Sequence, residues 1–305
     1  MLRLVVTMKR DAPMNIRQVL RRIVMHDGFN FMLTNHIARN GLTILMGRVS
    51  RIRHPLAARM SIAIWRLFTD LDLSDAAKTT FDSLHDCFTR ALRTGARPVD
   101  VSPDVLASPC DGIVGAMGPV VDGALLQAKG MPYSLVELLG DGDDARRFIG
   151  GSYVTLRLTS AMYHRFHAPH DMVLERVNYI GGDTWNVNPA ALARVNRLFC
   201  RNERAAIHGR LDRGGHLIAL VPVAAVLVAS IRLHFVDVLL HMRYPGPNRI
   251  DCRESVVKGQ ELGWFEHGST IIVLVPPGFT PCAGIGSGAH VRMGQPLLRL
   301  PPVPG

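Results

Sequence analysis

Lysine is scarce in this 305-residue chain: only Lys9, Lys78, Lys129 and Lys258 stand among its 35 basic residues. A pyridoxal enzyme holds its cofactor through a lysine, so that chemistry has four anchoring positions at most. The five cysteines (Cys87, Cys110, Cys200, Cys252 and Cys282) are odd in number, widely spaced and without a C-x-x-C. They suggest neither a disulfide framework nor a zinc site, and they fit a reducing compartment. Long apolar runs are also missing. "LIALVPVAAVLVASI", residues 217–231, comes nearest with fifteen uncharged residues, against about 20 for a spanning helix. It holds Pro222, is rich in Val and follows Gly214-Gly215, so one or two buried strands are expected, with no transmembrane helix. The opening "MLRLVVTM" is too short for a secretory signal and is interrupted by "KRDAPMN". No internal repeat or low-complexity tract stands out.

What is present is a globular composition, 48% hydrophobic and 20% charged, with an uneven charge. Residues 1–70 hold twelve Lys and Arg against Asp11, Asp27 and Asp70, which is +9 of the whole chain's +10. Residues 15–95 read as helical. "IRQVLRRIVM" sets Ile16, Val19, Leu20, Ile23 and Val24 apart from Arg17, Arg21 and Arg22, and Pro55 marks a break in the later helical pattern. From about Pro98 the texture becomes short apolar runs between Gly, Pro, Asn and Asp, the mark of strands and turns. The expected fold is α+β: a basic helical region over 1–97, then a β-rich domain with antiparallel sheets over 98–305. The basic helices are either a solvated face packed on the second domain or a foothold on an anionic membrane. Nucleic acid is not indicated, because aromatics are few there and no recognition motif appears.

Four stretches carry possible chemistry. "SPCDGIVG" puts Asp111 in a turn before a strand, where an Asp commonly bonds its own backbone. "YHRFHAPHD" spaces His164, His167 and His170 three apart. That spacing leaves one face of a helix and alternates faces on a strand, so no metal site is expected. Two of the histidines, beside Tyr163 and Arg165, could do acid–base work near neutral pH. Asn188-Pro189 and Asn202-Glu203-Arg204 could shape loops or line a polar pocket. In "ELGWFEHGSTIIVLV", a Gly-Ser-Thr precedes a run of apolar residues. Gly268 frees the backbone, and the Ser269 hydroxyl has the carbonyl of Gly268 as its nearest electrophile.

In their order, "TFDSLHDCFTRALRTGARPVD", "SPCDGIVG", "QAKGMPYSLVELLG", "YHRFHAPHD", "GGDTWNVNP", "LFCRNERA", "VKGQELGWFEHGST" and "MGQPL" resemble the phosphatidylserine decarboxylases, a pyruvoyl-dependent family. The resemblance spans roughly residues 80–298. It implies self-cleavage between Gly268 and Ser269 into a β chain, 1–268, and an α chain, 269–305, with Ser269 becoming a pyruvoyl cofactor. It assigns an Asp–His–Ser triad to Asp111, His167 and Ser269, in which His167 takes the Ser269 proton and Asp111 orients the imidazolium. His164 or His167 donates the proton to the carbanion after CO2 leaves, and the family pattern favours His164. The implied substrate is phosphatidylserine, decarboxylated to phosphatidylethanolamine by a peripheral enzyme on the cytoplasmic side of the cell membrane. That favours the membrane reading of the basic helices. The two chains of one precursor remain partners, and a homodimer is implied.

The sequence also departs from the family pattern. Ala224 and Ala229 stand where Gly is usual, residues 232–250 follow the pattern weakly, and His267 replaces an apolar residue. Three alternatives stay open. The substrate could be another amine-bearing carboxylate, such as a free amino acid or a different serine phospholipid. The chain could be an uncleaved lipid-binding homologue. Finally, "VVKGQELG…VRMGQPLL" has the look of a lipoyl-type carrier, although Lys258 lacks the usual setting.

Overall fold

Helices precede strands along the chain. The computed structural model describes residues 39–127, 130–226, 230–266 and 269–302. The amphipathic stretch at 16–24, His267, Gly268 and Ala229 lie outside them. Two helices come first, α1 (Arg39–Ser50) and α2 (Pro55–Phe68). Pro55 opens α2, where its missing N–H costs nothing and its fixed φ suits a first turn. Helix α3 (Leu84–Phe88) begins at Ser83, whose hydroxyl accepts from Asp86 N–H at 3.1 Å.

The helical expectation over 15–95 is corrected at 89–95 and at 69–83, neither of which contains a helix. Asp70, Asp72, Ser74 and Asp75 cluster there, and such side chains compete for backbone bonds, as when Asp72 accepts from Ser74 N–H at 2.8 Å.

From residue 105 on, strands dominate. An eight-stranded antiparallel sheet runs in the order β12 (Arg249–Val256), β7 (Met172–Ile180), β8 (Arg204–Leu211), β9 (Leu217–Ala224), β14 (Ser269–Val275), β5 (Ser152–Leu158), β2 (Gly112–Pro119) and β16 (His290–Val291). A four-stranded sheet has the order β11 (Val238–His241), β10 (Ser230–Leu233), β13 (Glu261–Phe265) and β6 (Arg165–His167). Smaller sheets join β1 (Val105–Ala107), β17 (Pro296–Arg299) and β15 (Thr280–Pro281), and pair β3 (Ala124–Leu126) with β4 (Pro132–Ser134). Four short helices are interleaved: α4 (Leu135–Leu139), α5 (Gly142–Arg146), α6 (Pro189–Leu192) and α7 (Leu198–Arg201).

The large sheet is buried on both faces. On one, Ile271, Val273 and Val275 pack with Phe166, Ile231, Leu240 and Phe265 of the four-stranded sheet. On the other, Ile272 and Leu274 pack with Leu135, Leu138, Leu198 and Phe199 of the short helices. This explains why "IIVLV" is continuously apolar rather than alternating: both sides of β14 need apolar side chains. The run at 217–231 supplies β9 and the start of β10. Pro222 sits inside β9, away from any edge. The β8–β9 register passes from Arg204–Val223 to Ile207–Leu220 and omits Pro222, which has no N–H to give the ladder.

Candidate active site

Ser269 is the first residue of β14 and lies opposite Leu158 of β5 on one side and Ala224 of β9 on the other. It is fully buried. Its Oγ has no hydrogen-bond partner among the described residues. Burying a hydroxyl unpaired costs about 1–3 kcal/mol, so its position asks for a chemical reason. Counting back from Ile271, the side chain shares the face that carries Phe265 and Phe166.

Glu203, immediately before β8, lines up with Ala224 of β9 and Ser269 of β14. Ala224 N–H donates to Glu203 O at 2.8 Å, and Ala224 is the β9 partner of Ser269. Ala224 thus stands between Glu203 and Ser269 in the backbone ladder. Glu203 is fully buried. Its Oε1 accepts from Tyr179 Oη at 2.9 Å, while Oε2 has no partner among the described residues. Burial pushes its carboxyl up to about 7, against the opposing hydrogen bond from Tyr179. Its neighbours are loop-shaping residues. Asn202 bonds the backbone of Trp185 and the carbonyl of Ala224, and Arg204 donates to the carbonyls of Glu137, Leu138, Cys200 and Asn202. Asn188 caps α6 by accepting from Ala191 N–H.

The histidines of "YHRFHAPHD" diverge. His164 is fully buried, with Nδ1 at 2.8 Å from Met162 O, so Nδ1 carries the proton and Nε2 is the basic nitrogen of the neutral ring. Its ring lies against Phe88, centroids 3.9 Å apart, and Phe88 stacks in turn on Trp65 of α2 at 5.6 Å. His167 Nδ1 is 2.9 Å from Gly259 O and Nε2 is 3.0 Å from Tyr163 Oη. The carbonyl can only accept, which leaves Nε2 as the lone-pair nitrogen. Burial lowers the His167 pKa below 6.5, opposed by the bond to Gly259 and by the charges of Glu261 and Asp111. Burial likewise raises the Tyr163 hydroxyl. His170 bonds the carbonyls of Pro103 and Asp171. Among the described residues no group of three His, Cys, Asp or Glu side chains could hold a metal ion.

Asp111 stands in the turn between β1 and β2. Its carboxylate accepts both from Arg97, Nε at 2.9 Å and Nη2 at 2.7 Å, and from Met293 N–H at 2.9 Å. Arg97 also holds Asp75 at 2.9 Å. Backbone bonding draws the Asp111 turn to β6: His167 N–H donates to Pro109 O at 2.8 Å. The side chains of Asp111, His167 and Ser269 are not hydrogen-bonded to one another among the described residues. The Gly259 carbonyl orients the His167 ring, and Asp111 acts on it through its field. Along β13, His164 stands against Phe265, four residues before Ser269, whereas His167 stands against Glu261, eight before it.

Gly268 lies outside the described residues. Lys258 donates to the carbonyls of Ser102 and Val105 at 3.0 and 2.7 Å, a structural use of a residue that a carrier reading needs free. Arg97 and Gly259 are missed by sequence reasoning, although both fall inside the ordered motifs, in "TGARPVD" and "VKGQELG". Spacing carries no information on which partner a ring nitrogen finds.

A family model described as phosphatidylserine decarboxylase matches residues 84–299. Among curated proteins, a phosphatidylserine decarboxylase proenzyme of Brevibacillus brevis is 33% identical over 270 residues, covering 87% of this chain and 95% of that one. The proenzyme of the same name from Myxococcus xanthus is 36% identical over 259 residues, covering 83% and 91%. A Shewanella proenzyme is 34% identical over 286 residues, covering 88% and 94%.

Proposed function

The chain belongs to the phosphatidylserine decarboxylase family of carboxy-lyases, and from that premise we propose that it matures by cutting itself at Gly268–Ser269 and then decarboxylates phosphatidylserine to phosphatidylethanolamine. The observation that carries this reading is the buried, unbonded hydroxyl of Ser269 at the head of a strand whose last five residues are apolar, directly after the proposed cleavage point. A hydroxyl without bonding commitments fits a residue that is converted into the prosthetic group. Ser269 Oγ attacks the Gly268 carbonyl and the peptide becomes an ester; β-elimination then frees the β chain as a carboxylate and leaves dehydroalanine, whose imine tautomer takes up water and releases ammonia to give the pyruvoyl end of the α chain. That carbonyl supplies the electron sink for loss of CO2.

The protein's own residues prepare each proton transfer. His167 is held neutral, with Nδ1 fixed on Gly259, so Nε2 can take the Ser269 proton once it exchanges Tyr163 for the hydroxyl. Asp111, clamped by Arg97 and Met293 N–H, is largely offset by that arginine and contributes, after Glu261, the smaller of the two carboxylate effects that favour the resulting imidazolium. His164, fully buried and packed against Phe88, takes up a proton from solvent on Nε2 and gives it to the substrate α-carbon, while Nδ1–H stays on the Met162 carbonyl.

The first helices supply the membrane contact. Leu45 and Val49 on α1, Ile52 in the connector, and Leu56, Met60 and Ile64 on α2 are each 44–60% exposed. The α2 residues repeat every four positions, on one side of the helix. Such a stripe, with Arg48, Arg51, Arg53, Arg59 and Arg66 around it, suits shallow insertion at an anionic surface. No helix among the described residues is long and apolar enough to cross a membrane.

Intact-mass spectrometry of purified protein tests the reading. Two chains split after Gly268, with a blocked 37-residue α chain, are expected. A single intact chain of 33.6 kDa under maturing conditions overturns it in favour of an uncleaved lipid-binding homologue. Release of CO2 from soluble amino acids in preference to phosphatidylserine vesicles overturns the substrate alone.

A further inference from the structure

A cavity of ≈ 290 Å³ opens between α1 and the β10–β11 hairpin. Its lining includes Arg48, Arg51, Ser230, His241, Arg243 and Glu266. The floor is tightly bonded. Ser230 Oγ donates to Glu266 Oε2 at 2.6 Å, Arg51 Nη2 reaches the same oxygen at 2.5 Å, and Glu266 N–H donates to Ser230 O at 3.1 Å. Arg51 therefore neutralises the one carboxylate in the cavity. Arg48 and Arg243 are both exposed and have no ion-pair partner among the described residues. With Arg51 balanced by Glu266, the cavity carries two uncompensated positive charges.

Its position ties those charges to the reaction. Glu266 is three residues before Ser269, and three residues of chain span at most about 10 Å. Two larger cavities have a different character. That of ≈ 600 Å³ next to Asp111 contains Asp72, Asp75 and Asp111 together with Arg90, Arg97 and Arg292, so its charges offset one another. That of ≈ 680 Å³ has no lining residue from β6, β13 or β14. The smaller cavity is lined on one side by α1, where Arg48 adjoins the exposed Leu45 and Val49. An anion bound there would lie beside the apolar surface of α1 and against Glu266, three residues before Ser269.

We infer that this cavity seats the phosphodiester of a lipid headgroup, with Arg48 and Arg243 as its charge partners. The inference deepens the functional reading above and rests on it for the identity of the headgroup. A guanidinium presents a planar fork of N–H donors to phosphate oxygens. With the phosphate held beside α1, the serine portion extends inward past Glu266, and the acyl chains remain with the apolar face of α1. The neutralised Glu266 then presents no net charge to the incoming carboxylate.

The test uses dihexanoylphosphatidylglycerol, a soluble lipid that has the phosphodiester but no amine or carboxylate to react. Calorimetric binding to the purified wild-type protein is compared with that of Arg48→Ala, Arg243→Ala, Arg48→Lys and Arg243→Lys. Circular dichroism verifies that each variant has folded, and intact mass reports whether it has matured. Each alanine variant should lose roughly tenfold in affinity, the scale of one charged hydrogen bond, and each lysine variant should recover part of that loss. The KM for phosphatidylserine in mixed micelles should rise in parallel.

Unchanged affinity in both alanine variants overturns the inference. So does inorganic phosphate binding as tightly as the lipid, which would make this a free-phosphate site. A loss confined to adsorption on phosphatidylglycerol vesicles, with dihexanoyl lipid binding intact, assigns the arginines to general membrane attraction and overturns it too. Because the lipid is not turned over, binding reads the cavity even in a protein that fails to cleave, whereas an uncleaved wild type counts only against the functional reading.

Discussion

The environment of a single nitrogen decides what His167 can do. Its Nδ1 is tied to a carbonyl and its ring is buried, so the basic form persists below pH 6.5, where an exposed histidine would take up a proton. Self-cleavage of newly made precursor should therefore keep its rate as pH falls from 8 to 6.5 and decline only below that, as read by the half-life of the uncleaved band. A midpoint at or above 6.5 would assign the step to a different group. The two histidines also separate by variant: His167→Ala should slow cleavage, while His164→Ala should cleave normally and release CO2 at least a hundredfold more slowly, within the usual range for a lost general acid. Full turnover by His164→Ala would remove it from the reaction. At this scale much was legible in the sequence, because Asp111, His164, His167 and Ser269 lie inside ordered motifs. Their partners were not. Tyr163 is four residues from His167, but Gly259 is 92 residues away and is brought there only by the sheet. Glu203 could be named but not placed, because its row with Ala224 and Ser269 exists only once β8, β9 and β14 pair.

Elements were legible where one physical demand dominates. "IIVLV" had to be buried on both faces, and it is. The run at 217–231 had too few residues for a span, and it became strand. Expectation failed where demands compete. The 69–83 segment has helix formers, but its aspartates and serine hold turns. The first helices have an outer face that no other part of the described protein covers. Met60→Glu and Ile64→Glu, placed on the exposed side of α2, should leave stability within about 0.5 kcal/mol and sharply reduce co-sedimentation with anionic vesicles. Undiminished binding by the double variant would detach α2 from the membrane. Salt alone should weaken but not abolish wild-type binding, since screening reaches the arginines and not the apolar stripe.

For the molecule as a whole, buried ionisable groups make stability depend on pH in a direction that can be worked out. Glu203 has a folded-state pKa pushed up to about 7, against 4.5 for the ordinary group. Between those values the unfolded chain has already released the proton that the folded protein keeps, so this residue's contribution to stability falls as pH rises from 4.5 to 7 and is constant beyond. Glu203→Gln removes that loss. On a Ser269→Ala background, which stays one chain, the urea midpoint of the variant relative to its parent should climb across this window, by the equivalent of up to roughly 3 kcal/mol, and then level off. A difference that does not vary with pH would mean that Glu203 is ionised in the fold. His208 works in the other sense. Burial holds its pKa below 6.5 despite Asp144 alongside, so it withdraws stability as pH falls below 6.5. The placement of β14 has a further consequence. It is flanked on both sides, by β5 and by β9, along nearly its whole length. A cut at its head therefore releases nothing: the nick leaves a small chain woven into the middle of a large one, inseparable without melting the sheet. Folding as one chain is unimolecular, but once cut, any recovery from unfolding requires two strangers to meet, at a rate set by their concentration. On the proposed reading, maturation would work as a one-way gate: a fold that assembles itself easily before the cut would have to last afterwards by not coming apart.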